Sequence, residues 1–233
     1  NSWPSLKFDA LAISDILAPF FSAGFYYKTF MWPPRFWEAL YEPIIRHAAG
    51  LGKLEDKPDV DNYDQNFAFC DLLIIGGGPS GLFSALLAGR AGLDVILVDE
   101  NPKLGGRLLF ENTIIDGNHC SDWIQSCLGE LKSLENVRLL SRATVFGIYD
   151  QGTFGVLERI SRHIPDSESD TVLDCFWRIV ASSSILASGA IERHIAFGNN
   201  DRPGVMLASA AREYMKVYGV IVGKKPIIFT NND

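Results

Sequence analysis

Apolar residues run unbroken from Leu72 to Ile75, stop at Gly76-Gly77-Gly78-Pro79, and resume at Leu82, Phe83, Leu86 and Leu87. They close up again from Val95 to Val98. The first and last runs are short and continuous, as expected of strands in a parallel sheet buried on both faces. The run between them recurs at three and four residues, which predicts a helix with one apolar face, and Gly92 stands where that helix should end. Strand, glycine loop, helix and second strand thus follow one another from Asp71 to Glu100 in the order and lengths of a dinucleotide-binding βαβ unit.

Other patterns organise the rest of the chain. Phe36, Trp37, Leu40, Tyr41, Ile44, Ile45 and Ala48 keep helical spacing after Pro33-Pro34 and stop at Gly50, with Pro43 placed to kink or split the helix. Lys53 to Gln65 is polar and acidic and reads as a linker. Residues 1–66 therefore read as an aromatic-rich wrapping segment and linker. Its aromatics, from Trp3 through Phe25-Tyr26-Tyr27 to Trp32, pack internally or meet another chain.

Residues 67–233 read as a dinucleotide-binding domain. Ser121-Asp122 should cap a helix carrying Trp123, Ile124, Cys127, Leu128, Leu131 and Leu134 on one face. Val137 to Leu140 and Ala143 to Asp150 read as short strands. Phe154 to Ile179, broken by a polar turn at Pro165 to Asp170, reads as an antiparallel meander crossing over the sheet. Ile185 to Ala190 looks like a further buried strand with a glycine turn. Asn199 to Gly204 reads as a capping loop before a helix over Ala208 to Tyr218. Pro226 to Asp233 looks like the start of another buried strand, with a second nucleotide-binding unit beginning near 226 and cut there. The expected class is α/β: a Rossmann-like domain with a parallel sheet and an antiparallel crossover meander.

The chemistry sits in the glycine loop. Gly76 allows a tight turn out of the strand, Gly78 lets backbone approach a pyrophosphate with no Cβ in the way, and Gly81 lets the helix pack close to the sheet. The helix N-terminus adds free N–H groups and the positive end of its dipole. Asp99 and Glu100 end the second strand, near the distance of about 20 residues at which a carboxylate accepts from the adenosine ribose hydroxyls. The glycine spacing favours Asp99, whereas counting back from Gly105-Gly106 favours Glu100. Two acids there would repel a 2′-phosphate, so NADP is disfavoured. Gly105-Gly106 should again let backbone approach a ligand, and Arg107 is a candidate partner for cofactor phosphate or adenine.

Composition narrows the possibilities. The 233 residues are 47% hydrophobic and 21% charged, as in folded globular proteins, and the net charge of −7 argues against nucleic acid. Cys70, Cys120, Cys127 and Cys175 lack C-x-x-C spacing and the four histidines are scattered, which points to buried thiols and no metal site. The apolar stretch from Leu72 to Val98 is broken by glycines, Arg90 and Asp94, so it is not a membrane span. GVIVGK at Gly219 to Lys224 lacks the spacing and the Ser/Thr of a phosphate-binding P-loop. With no signal peptide and an Asn at the first position, a cytoplasmic piece of a longer protein is expected. No catalytic triad, carboxylate pair or reactive cysteine motif emerges, so no catalytic residue is assigned.

Four blocks, FYYKTFMWPP at Phe25 to Pro34, IIGGGPSGL with VILVDENPKLGGRLL, LASGAIERHIAFGNNDRPGVMLASAA from Leu186, and the terminal FTNND, closely resemble the alpha subunits of heterotetrameric sarcosine oxidases. The resemblance spans essentially the whole chain and implies a central piece of a much longer subunit. It implies a disulfide-reductase-like fold with NAD in the first nucleotide site, contacted by Ser80, Asp99, Glu100 and Arg107, with Val145 at the adenine. It further implies a cytoplasmic complex with beta, gamma and delta subunits that demethylates sarcosine. Electrons would pass from FAD on beta to FMN between alpha and beta and on to oxygen, and the one-carbon unit to tetrahydrofolate bound beyond this piece. Ser188 stands where related flavoproteins carry Thr. The resemblance leaves the chain inactive alone, and two other readings stand beside it: a subunit of an opine or amine dehydrogenase or a hydrogen cyanide-forming complex, and a noncatalytic nucleotide-binding scaffold.

Overall fold

The computed structural model describes residues 4–5, 7–13, 16, 19, 24, 32–50, 52, 56–59, 61–165 and 171–231. It divides into two units, residues 1–59 and 60–233. In the first, β1 (Pro4–Ser5) pairs antiparallel with β2 (Phe8–Asp9). A π-helical segment at Trp37–Tyr41 then leads into α1 (Glu42–Ala49). Pro43 follows the point where the π-helical turn gives way to α1, so the helical run changes its hydrogen-bond pattern there. Gly50 ends α1 in the left-handed region at φ 69°, donating its N–H to the carbonyls of Arg46 and His47. The aromatics Trp3 and Phe25-Tyr26-Tyr27 lie outside the described residues.

The second unit contains β3 (Asn62–Ile75), α2 (Pro79–Arg90), β4 (Val95–Val98), a 3-10 turn (Gly106–Leu109) and a small hairpin of β5 (Ile114–Ile115) and β6 (Asn118–His119). It continues with α3 (Cys120–Ser133), β7 (Val137–Leu140), β8 (Ala143–Tyr149), β9 (Thr153–Arg159), β10 (Val172–Leu186) and α4 (Ala208–Val217). Six strands form one sheet in the order β7-β4-β3-β10-β9-β8. The first four are mutually parallel, and the last two join antiparallel. The class is the expected α/β fold.

Both faces of the central strands are covered, which explains their unbroken apolar runs. Ile74, Val95 and Leu97 pack against Leu82, Leu86, Cys127 and Leu131 of α2 and α3. Leu73, Ile96 and Val98 face the other way, toward Leu140, Ala143, Phe154, Val156 and Ile179, a cluster made by strands alone. The meander therefore supplies the second layer that a helix would otherwise provide. Its last strand is pinned by Arg162, which donates from Nε to the buried Asp174 carboxylate at 3.1–3.2 Å.

Several elements differ from the sequence expectation. β3 begins at Asn62, inside the expected linker, because Asn62 to Asn66 pair along β10 while their side chains stay largely in solvent and carry no apolar signature. The meander covers one face as expected and is, in addition, hydrogen-bonded into the sheet, β9 pairing with β10 and β10 with β3. β10 runs straight on through Ile185, and Leu186, 72% exposed, ends it rather than a separate buried strand. The N-cap of α3 is His119, whose Nδ1 accepts from the Ser121 N–H at 3.4 Å, rather than Ser121 or Asp122. α4 is capped from afar by Glu192, whose carboxylate accepts from the Ser209 N–H at 2.8 Å, and not by the Asn199 to Gly204 turn. Pro226 to Asn231 form no strand, and Ile227 is 94% exposed, since no described strand or helix lies against it.

All four cysteines are buried and free. Burial pushes the Cys70 thiol from its ordinary 9.0 up to about 11, with smaller upward contributions from Asp71 and Asp94 that the Ile96 backbone hydrogen bond opposes. The folded state thus favours the neutral thiol. Its contribution is complete below pH 9.0 and is lost as pH rises toward about 11. Urea denaturation across that window should show a falling midpoint, with a shallower fall in Cys70→Val; an equal fall in both would refute this origin.

Candidate dinucleotide-binding site

Where β3 ends, the chain must turn beneath the end of β10. The Ala187 N–H donates to the Ile75 carbonyl at 2.7 Å, and the Gly76 N–H donates to Val98 at 2.8 Å. Gly76 lies at φ 108°, and a Cβ on it would sit 2.4 Å from the Ala187 carbonyl oxygen. The tight turn is therefore also a close crossing. At Gly81 a Cβ would lie 1.8 Å from the Gly76 carbonyl oxygen, so α2 packs directly on the loop. Gly77 faces inward, its missing Cβ 2.6 Å from Leu104 Cδ2.

Gly78 is different. A Cβ there would meet nothing within 4 Å. It is the N-cap of α2 and makes no side-chain capping bond, with Pro79 following and Ser80 exposed. An uncapped helix start beside open space suits an anion, because the first-turn N–H groups and the positive dipole end point the same way.

The second glycine pair approaches the first loop. The Gly105 N–H donates to the Gly77 carbonyl at 2.8 Å, and a Cβ on Gly106, at φ 52°, would lie 2.9 Å from Gly78 Cα. Two backbone segments are stacked there. Sequence reasoning missed this, although paired glycines fit either kind of close approach.

The two acids part company. Asp99 is 9% exposed. Its Oδ2 accepts from the Gly77 N–H at 2.6 Å and its Oδ1 from the Asn101 N–H at 2.8 Å. Its own N–H donates to Leu140 and its carbonyl accepts from Ala143, both at 2.9 Å. Glu100 is exposed and makes no side-chain hydrogen bond or ion pair with the described residues.

Arg107 donates from Nε to Glu111 Oε1 at 3.0 Å, and Arg212 reaches the same oxygen at 3.6 Å. Glu111, four residues on, is a partner that the sequence reading did not weigh. Val145 is half-buried on β8, opposite Val156, two residues beyond the Ala143 that bonds Asp99. Gly76, Gly78, Ser80, Gly81, Asp99, Glu100 and Arg107 therefore gather around one loop, with Val145 on the strand that leaves it. Among the described residues no group of three or more His, Cys, Asp or Glu is placed to hold a metal ion. No helix among them is long and apolar enough to cross a membrane.

Several known proteins are similar to this chain. The family described as FAD dependent oxidoreductase matches residues 71–148, from the glycine loop into β8. The sarcosine oxidase subunit alpha of Rhizobium meliloti (strain 1021) is 53% identical over 233 residues, covering 100% of this chain and 24% of that protein. That of Corynebacterium sp. (strain P-1) is 39% identical over 186 residues, 79% of this chain and 19% of that protein. The crystal structure of L-proline dehydrogenase from P. horikoshii superposes with a TM-score of 0.56 at 28% identity, over 69% of this chain and 31% of that one. The chain thus spans about a quarter or less of the length of these alpha subunits. With every residue aligned and more than half identical, the chain is similar over its whole length to the sarcosine oxidase subunit alpha of that Rhizobium.

Proposed function

We propose that this chain is the NAD-holding part of a sarcosine oxidase alpha subunit. The observation that carries the reading is the open space at Gly78, at the uncapped start of α2. A pyrophosphate fits there without a Cβ in its way and would receive the first-turn N–H groups of α2 around Ser80. Glu100 is free to accept from the adenosine ribose hydroxyls, and its charge disfavours a 2′-phosphate. Gly76 and Gly81 hold the loop, and the family resemblance puts Val145, on β8, at the adenine. Arg107, already paired with Glu111, keeps further N–H donors for a phosphate.

FAD and NAD present the same adenosine diphosphate to such a loop. NAD is the reading that the alpha-subunit resemblance supports, with FAD assigned to a beta subunit and FMN to the alpha–beta boundary. Within that assembly, with gamma and delta subunits, sarcosine is demethylated to glycine, electrons reach oxygen and the one-carbon unit reaches tetrahydrofolate. The proposed setting is cytoplasmic. This chain contributes nucleotide binding and no catalytic residue, so by itself it turns over no sarcosine.

The test uses the whole complex. Nucleotides released on denaturation should include NAD, and in Glu100→Ala the NAD affinity of the complex should fall by about 1–3 kcal/mol, read by calorimetry after nucleotide removal. A complex that releases and rebinds no NAD overturns the reading. Retention of FAD alone by this subunit would make the loop a flavin site.

A further inference from the structure

We propose that Glu111 couples the nucleotide loop to α4: its carboxylate is shared between Arg107 and Arg212, so a phosphate on Arg107 tightens the docking of α4, and docked α4 tightens the nucleotide. The inference rests on the nucleotide-binding reading above. α4 buries no residue. Contacts to three consecutive residues hold it to the domain. Arg212 Nη2 lies 3.6 Å from Glu111 Oε1, the Arg212 guanidinium lies 5.7 Å from the centre of the Phe110 ring, and Lys216 donates to Asn112 Oδ1 at 3.1 Å. Those three residues follow the 3-10 turn that carries Arg107 and lays Gly106 against Gly78. α4 is therefore docked on the same strip of chain that supports the open cradle.

Glu111 is a positioning residue placed to be shared. Its backbone is fixed from behind by α3, with the Cys120 thiol 3.1 Å from the Glu111 carbonyl oxygen and the Cys120 N–H donating to Thr113 at 2.9 Å. Its side chain meets two cations at one oxygen, Arg107 through Nη2 at 2.9 Å and Nε at 3.0 Å, and Arg212 at the longer distance. One oxygen cannot satisfy two guanidiniums fully, so each weakens the other's hold. A phosphate that takes up the remaining Arg107 donors draws its charge away from Glu111 and leaves more of the carboxylate to Arg212. The converse follows by linkage: Arg212 drawn onto Glu111 leaves more of Arg107 to the phosphate. All three side chains are partly exposed, so the effect is small, about threefold in affinity.

The experiment titrates NAD into nucleotide-depleted complex carrying Arg212→Gln, Glu111→Gln or both, and follows amide exchange along Ala208 to Val217. Arg212→Gln should lower NAD affinity about threefold in the parent and leave it unchanged when Glu111→Gln is also present. NAD should slow exchange in α4 of the parent. It should not do so in Glu111→Gln, where exchange is faster before any ligand is added. An equal effect of Arg212→Gln in both backgrounds, or none in either, overturns the proposal; the first result would mean that Arg212 acts on the phosphate through space. NAD that binds the parent without changing α4 exchange overturns it too, and leaves the cofactor reading standing. A parent that binds no NAD sinks both, with faster α4 exchange in Glu111→Gln then reporting the docking contact alone.

Discussion

Gly81→Ala should cost about 3 kcal/mol or more of folding stability, seen as a large drop in the urea midpoint of the second unit. The added Cβ would sit 1.8 Å from the Gly76 carbonyl oxygen and 3.4 Å from Ile74 Cγ2. Neither α2 nor the loop offers a flexible side chain that could swing away. The helix must lift from the sheet, and lifting it opens the contacts of Leu82, Ala85 and Leu86 with Ile74 and Leu97. Gly129→Ala is the control, since it lies on the exposed side of α3 with nothing within 4 Å of its Cβ. That change should be neutral or stabilising by up to about 1 kcal/mol, because alanine loses less entropy in a helix. Equal midpoints for the two variants would show that α2 does not pack on the loop in this way.

Gly78→Val should do the reverse, leaving the fold intact and removing the nucleotide. The backbone at Gly78 has φ −74° and ψ −174°, an extended conformation open to any residue. Its Cβ would meet no atom of this chain, so stability should change by no more than about 0.5 kcal/mol. The two methyl groups of valine would project into the space proposed for the pyrophosphate. NAD affinity should fall at least about a hundredfold, the equivalent of about 2.7 kcal/mol. A folded Gly78→Val complex that binds NAD like the parent would place the nucleotide elsewhere. Together the two substitutions separate a glycine needed by the fold from one needed by the ligand.

The parts legible in the sequence were those where a local pattern has one physical cause. The Leu72 to Ile75 and Val95 to Val98 runs are continuous because two different layers bury alternate residues, and that cause leaves no other reading. Gly76 and Gly81 were likewise identified, although the carbonyl of Ala187, which makes Gly76 indispensable, comes from a distant strand and leaves no trace near the motif. The Asp99 and Glu100 ambiguity could not be resolved from spacing. Adjacent residues on a strand end point to opposite sides, and only the position of the Gly77 N–H tells which side is interior. The continuous β10 escaped because its last residues are polar or exposed, so composition marks a break where the backbone has none. At Ile227 and Ile228 the error ran the other way, since an apolar pair was read as a strand without asking what it would pair with.

β10 closes the phosphate turn from the far end of the domain. Its residue Leu186 stands opposite Ile75, and the next residue supplies both the N–H that caps β3 and the carbonyl that Gly76 must clear. During synthesis, the whole glycine motif, α2, both acids and α3 leave the ribosome long before this strand does. Until it docks, one edge of β3 is unpaired and its apolar face is open to other chains. Nucleotide-binding competence is therefore acquired late, when the most non-local pairing in the sheet is made, and the motif that announces the function in the sequence is not by itself a functional object.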